Sequence, residues 1–164
     1  MATQPASTMD LPPGQTRTRI PLRLISALLA VVYIAITSYM TWTKIANVPL
    51  ECNNEGFINC AVVENSAWAY ILGIPTSAWG LAAHLTIAAV LLMESRIAFF
   101  QRYGVYFIFG IALFSVMYHA YLVYISINVL RALCPWCLAA ATTMTLQLIT
   151  TSFRLRSALS TPQG

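Results

Sequence analysis

The sequence predicts an all-α integral membrane protein: a four-transmembrane-helix bundle with a long extracytoplasmic loop, carrying a short half-helix, between helices 1 and 2. Three observations carry this expectation. Only 9% of the 164 residues are charged and 59% are hydrophobic, whereas a soluble globular domain carries roughly 25% charged residues to face water. Four apolar stretches, 24–42, 76–93, 103–129 and 133–153, each approach or exceed the ~20 residues that cross a bilayer core. None alternates with period two, so the barrel solution is excluded and helices remain. The same scarcity of charge excludes a soluble enzyme, a nucleic-acid binder and a disordered chain.

The elements follow in order. Residues 1–21 are rich in Pro, Thr, Ser and Gln and read as a mobile cytoplasmic tail. Residues 22–155 form the membrane domain. Its first helix, 24–42, is longer than a secretory apolar core and no Ala-x-Ala site follows it, so it is expected to be kept as a span. Gly73-Ile74-Pro75 opens the second helix. The third is long enough to span with tilt. The fourth stops at Arg154 and Arg156, and 156–164 is a second cytoplasmic tail.

Charge placement orients the bundle. Arg17, Arg19, Arg23, Arg96, Arg102, Arg154 and Arg156 lie at one end, and only Lys44 and Arg131 at the other. Seven against two predicts both termini in the cytoplasm of a multi-pass inner-membrane protein, with the loop 43–75 and the connection 130–133 outside. That loop gathers three of the five acids, Glu51, Glu55 and Glu64, and a segment of this length is rarely passive. Across 60–72, Val63, Ala67, Tyr70 and Ile71 recur at helix-like spacing beside Trp68, which predicts a half-helix on the membrane face.

All four cysteines fall on the outside in this topology, where disulfides form and persist. Cys52 and Cys60 are spaced C-x7-C; Cys134-Pro135-Trp136-Cys137 is a C-x-x-C opening the fourth helix. A thiol at a helix start feels the positive end of the dipole, which favours the reactive thiolate. Two structural bridges or a zinc half-site would use the same count, but a C-x-x-C ring is an unusual structural staple and C-x7-C an awkward zinc partner. No metal is expected. Redox chemistry is favoured, against a non-catalytic membrane protein stapled by two disulfides.

Other residues are candidates. His84 and His119 are ionisable groups inside predicted spans, and His84, about two turns from the outer end, is within reach of an outer pocket. Tyr118, Tyr121 and Tyr124 share one helix face and read first as packing. Trp68, Trp79 and Trp136 read as an interfacial belt. Ser66 and Asn65 are placed to support the cysteine loop.

The loop pair Cys52 and Cys60, Ser66 six residues later, Gly73-Ile74-Pro75 and Cys134-Pro135-Trp136-Cys137 together resemble the vitamin K epoxide reductase family, over about residues 20–155. The Cys-Pro-Trp-Cys and Gly-Ile-Pro elements are more similar to its bacterial branch. The resemblance implies a membrane thiol-disulfide oxidoreductase that supports disulfide formation. Electrons would pass from an extracytoplasmic thioredoxin-fold thiol oxidase through Cys52 and Cys60 to Cys134 and Cys137, and then to a membrane quinone, ubiquinone or menaquinone. It implies that Cys137 lies nearest the quinone, that Cys134 exchanges with Cys60, and that Cys52 faces the partner. Thr76 and Ala141 stand where relatives place an Asn and a Tyr against the quinone; Thr76 can still donate a hydrogen bond. Thr76, Ser66 and His84 are therefore the expected quinone-site residues. Reduction of an epoxide rather than a quinone is the nearest alternative activity.

Overall fold

The computed structural model describes residues 15–52 and 55–160, with side chains from residue 21 onward. Four long helices, α1 (Gln15–Ala46), α3 (Thr76–Met93), α4 (Ala98–Ile125) and α5 (Pro135–Leu159), are joined by a short helix α2 (Cys60–Glu64) and a two-residue hairpin, β1 (Tyr70–Ile71) and β2 (Ile74–Pro75). The helices close a ring in which α1 packs on α3 and α5, and α4 packs on α3 and α5.

Bounds differ from expectation in instructive ways. α1 begins at Gln15, so residues 15–21, expected as tail, are helical. Once a helix has nucleated, each added residue costs little, and Pro21 removes a single backbone donor. Residues 1–14 lie outside the described residues. α3 matches its predicted range because Pro75 starts it. α4 begins before residue 103 and ends in a wide π turn, Ser126–Leu130, with Arg131 left-handed at φ 52° turning the chain towards α5. α5 runs to Leu159, into the segment expected as the second tail, whose residues 161–164 are outside the description. The half-helix expected over 60–72 is shorter: α2 stops at Glu64, a 3-10 turn covers Ala67–Ala69, and the hairpin follows. Its two-residue turn holds Leu72 at φ 53° and Gly73 at φ 77°, the left-handed pair that a tight hairpin turn requires.

Among the described residues, three helices are long and apolar enough to cross a membrane: Pro21–Ala46, Thr76–Met93 and the α4 segment Ala98–Leu130. α5 falls short on apolarity because of Thr143, Gln147, Thr150 and Thr151, all of which are buried inside the bundle. Thr143, Thr150 and Thr151 donate to the carbonyl four residues earlier at 2.8 Å, so their hydroxyls are satisfied within the helix. Gln147 donates to Ser26 Oγ on α1 at 2.7 Å. Meanwhile Leu28, Val31, Leu92 and Phe114 point outward, each more than half exposed, as helices facing lipid require.

Packing is layered along the bundle. Ala30, Ile87, Val90, Leu91 and Ile108 fill one level; Tyr33, Ala112, Ala140 and Met144 the middle; Met40, Leu50, Cys60 and Cys134 the far level. At the end opposite the cysteines, Glu94 caps α3 and receives Arg154 from α5 at 2.7 and 2.8 Å, with Arg23 from α1 at 3.6 Å. Arg23 also donates to the Leu91 carbonyl at 2.6 Å. Gly104 on α4 makes room for this knot, since a Cβ there would sit 3.1 Å from the Glu94 side chain. Two of the arginines read as orientation signals are thus also structural ties.

Candidate redox site and cavity

Cys134 is the N-cap of α5, extended at φ −113°, and its Sγ accepts the Cys137 backbone N–H at 3.3 Å. Pro135 follows at the first helical position, where a missing N–H costs nothing. Cys60 opens α2, capped by Asn59, whose Oδ1 accepts from the Val62 N–H at 3.1 Å. Cys52 and Cys60 are joined as a disulfide; Cys134 and Cys137 are free thiols.

Backbone pairing joins the two cysteine motifs. Ile58 and Leu133 form a parallel bridge in which the Leu133 N–H donates to the Phe57 carbonyl at 2.9 Å and the Asn59 N–H donates to the Leu133 carbonyl at 3.0 Å. The residues that follow, Cys60 and Cys134, are each 1% exposed and pack in one cluster, with Cys52 and Cys137 at its edge. Trp136 reaches across to donate to the Glu51 carbonyl at 2.9 Å and leans on Tyr39. The C-x-x-C segment therefore holds the chain beside both loop cysteines.

A cavity of about 740 Å³ opens beside Cys137, within the size range of small-molecule sites. Its walls include Tyr33, Gly80, Tyr118, His119 and Cys137, with Ser66 and Thr76 also lining it. Ser66 donates to the Val63 carbonyl at 2.7 Å, tying the end of α2. Thr76 begins α3. His84 is not a wall residue: it is 1% exposed and stacks on the Tyr33 ring at 3.5 Å. Gly80 permits that approach, because a Cβ there would lie 2.8 Å from the Tyr33 hydroxyl. Tyr118 lines the cavity, Tyr121 meets Trp68 edge to face, and Tyr124 is exposed. The shared tyrosine face thus divides among three environments.

Two groups escaped the sequence reading. Tyr33 sits in an apolar run and looks like packing until its partner His119, 86 residues away, is placed beside it. Lys44 was read only as a stray outer charge. In the fold its Nζ donates to the Glu64 carbonyl at 2.6 Å and to Asn65 Oδ1 at 3.3 Å, and stands 3.9 Å from the Glu64 carboxylate.

Burial pushes the Glu64 carboxyl above its ordinary value of 4.5, and Lys44 only partly offsets this. For an acid whose folded pKa is raised, stability is fully present below the unfolded value and lost as pH rises through the folded one. Glu64→Gln, permanently neutral, is expected to match the parent below pH 4.5 and to unfold at higher temperature near neutrality. A thermal melt series across that range checks it; a variant less stable at neutral pH would show that the Lys44 pairing dominates.

Fold and site define a helical membrane protein with a disulfide and a dithiol packed together at one end, beside a ligand-sized cavity. The model of the vitamin K epoxide reductase family matches residues 24–152. The chain belongs to that family, whose members are oxidoreductases with membrane redox chemistry of the quinone or vitamin K type. The cavity fits a group of this kind: its lining is mostly apolar and aromatic, it is large enough for a ring, and a thiol stands on its wall. Among the described residues, no three His, Cys, Asp or Glu side chains converge as a metal site would require.

Proposed function

We propose that the protein is a quinone-dependent thiol oxidase, with all four long helices crossing the inner membrane. Both termini are cytoplasmic and all four cysteines face outward, as the distribution of arginines favours. A reduced extracytoplasmic thioredoxin-fold partner attacks the Cys52–Cys60 disulfide at Cys52. Cys60, released as thiolate, exchanges with the oxidised Cys134–Cys137 pair at Cys134, each step a thiolate attack on sulfur. The bound quinone supplies the two-electron sink that reoxidises the Cys134–Cys137 dithiol. Cys137 holds the thiol on the cavity wall, and Ser66 and Thr76 border the same space. The carrying observation is the division of labour within one C-x-x-C: Cys134 packs against Cys60 while Cys137 lines the cavity.

The test is stoichiometric. Detergent-purified protein, given a short-chain ubiquinone or menaquinone and a small dithiol, is expected to form one quinol per disulfide over many turnovers. Replacing the dithiol by a reduced thioredoxin-fold oxidase should sustain the reaction. A protein whose C-x-x-C stays unreactive to low-millimolar dithiol, and which reduces neither quinone, is a stapled structural protein instead.

A further inference from the structure

The floor of the cavity carries a hydrogen-bonded pair whose direction can be read from its partners. His119 Nδ1 lies 2.8 Å from the Ser115 carbonyl oxygen. A carbonyl can only accept, so Nδ1 carries the ring hydrogen and Nε2 of the neutral imidazole is a bare acceptor. The Tyr33 hydroxyl, 3.1 Å from that Nε2, must therefore donate to it. This leaves the Tyr33 oxygen offering only lone pairs to the cavity that both residues line. A second proton on Nε2 reverses the bond: His119 would then donate to Tyr33, and the Tyr33 hydrogen would turn towards the cavity.

Level and neighbours make the pair relevant to a ring-shaped ligand. Tyr33 packs with Ala140 and Met144 on α5, and Ala140 is one turn below Cys137, about 4.5 Å along the axis. A ring bound beside Cys137 would therefore have Tyr33 within the next helical turn on its inner side. Tyr33 itself is held by stacking on His84, whose Nδ1 lies 3.2 Å from the Gly80 carbonyl and whose Nε2 has no partner. The titratable or charged groups around the pair are His84 on α3, Tyr118 on α4 and Cys137 on α5, with Lys44 and Glu64 also lining the cavity or its rim.

We propose that Tyr33 and His119 form a proton-coupled reader of the ligand's oxidation state. With His119 neutral, Tyr33 accepts a hydrogen bond from the hydroxyl of a quinol; with His119 protonated, Tyr33 donates to the carbonyl of a quinone. The inference rests on the quinone-reducing reading above. When the Cys134–Cys137 dithiol closes to a disulfide, two electrons and two thiol protons leave the sulfurs. The Tyr33 hydrogen passes to the inner oxygen, His119 refills Tyr33 from Nε2, and one thiol proton restores His119; the other thiol proton completes the quinol. Dithiol and quinone become disulfide and quinol with nothing left over. Tyr33 touches the ligand in this scheme, and His119 acts through it as a positioning residue.

The experiment measures binding without turnover. Menadione, a naphthoquinone without an isoprenoid chain, is titrated into protein with both cysteine pairs oxidised, and quenching of Trp68 and Trp79, which line the cavity, reports the dissociation constant from pH 4 to 8. In the parent, affinity is expected to rise at least tenfold as pH falls far enough to protonate His119. His119→Gln should flatten that dependence. Tyr33→Phe, which keeps the ring stacked on His84, should flatten it and leave weak binding at every pH. His84→Gln should retain the slope, assigning the titration to His119. An unchanged slope in His119→Gln, a slope lost only in His84→Gln, or a flat parent profile with intact binding each overturns this inference while leaving quinone reduction standing. No binding by the parent at any pH instead overturns the quinone reading itself.

Discussion

Cys137→Ala is expected to lower dithiol-driven quinone reduction by about 10³-fold or more, the scale on which enzymes respond to loss of a reacting nucleophile. The geometry gives the reason. Cys137 is the cysteine on the cavity wall, and Cys134 is 1% exposed behind it, packed under the loop pair. Alanine removes the thiol that borders both that space and the Cys134 cluster. Cys134→Ala should be as severe, since no internal disulfide can then form. Cys52→Ala and Cys60→Ala should separate the two halves of the route: turnover with a protein thiol lost, turnover with a small dithiol partly kept. The check is quinone absorbance with each donor in turn. Full activity of Cys137→Ala would remove the mechanism, and equal loss with both donors in the loop variants would mean that the loop is needed for the fold rather than for transfer.

Glu94→Ala is expected to destabilise the protein by about 3 kcal/mol, in the manner of a paired charge stripped of its partner. Arg154 and Glu94 side chains are 12% and 11% exposed, and the Arg154 Nη1 already lacks a partner. Without the carboxylate, the guanidinium of α5 is stranded between α3 and α4. Arg23 contributes less to this figure, because its side chain is 41% exposed and it keeps the Leu91 carbonyl. Thermal unfolding in detergent, followed by helical circular dichroism, measures the loss. The quinone-reduction rate of molecules still folded should be unaffected, since Glu94 lies at the opposite end from the cysteines. An unmoved transition would show that water or lipid headgroups replace the carboxylate at no cost.

The difference between what could be read beforehand and what could not follows from the range of the forces involved. Apolar length and terminal charge are local, so the long helices were legible, and the bounds of α3 coincide with expectation because Pro75 and Glu94 punctuate it. α1 and α5 outran their apolar cores because helix propagation does not stop where hydropathy does. The hairpin was invisible: two-residue strands offer no alternation, and a left-handed Leu72 carries no compositional signal. At the site, a C-x-x-C at a helix start was legible in the sequence, while the order of the cysteines is what the family resemblance implies. Tyr33 was not legible, since its role depends on a hydrogen bond to another helix. Glu94 likewise looked like a turn residue until α1 and α5 brought their arginines to it. His84, one of the expected quinone-site residues, packs on the Tyr33 ring behind the cavity wall, a placement that depends on the contact between α1 and α3.

The Ile58–Leu133 bridge has an implication for how such a route tolerates change. The bonds that bring Cys60 to Cys134 are donated and accepted by the main chain of Phe57, Asn59 and Leu133, so side-chain identity is nearly free to drift at Phe57 and Leu133, while Asn59 also caps α2 through its side chain. Spacing is not free. One residue inserted between Asn59 and Cys60, or between Leu133 and Cys134, would add about 3.3 Å of extended chain between the bridge and a sulfur and put it out of register with its counterpart. What is inherited in the proposed route is therefore metric rather than chemical: a count of residues from a pair of peptide groups to a pair of sulfurs.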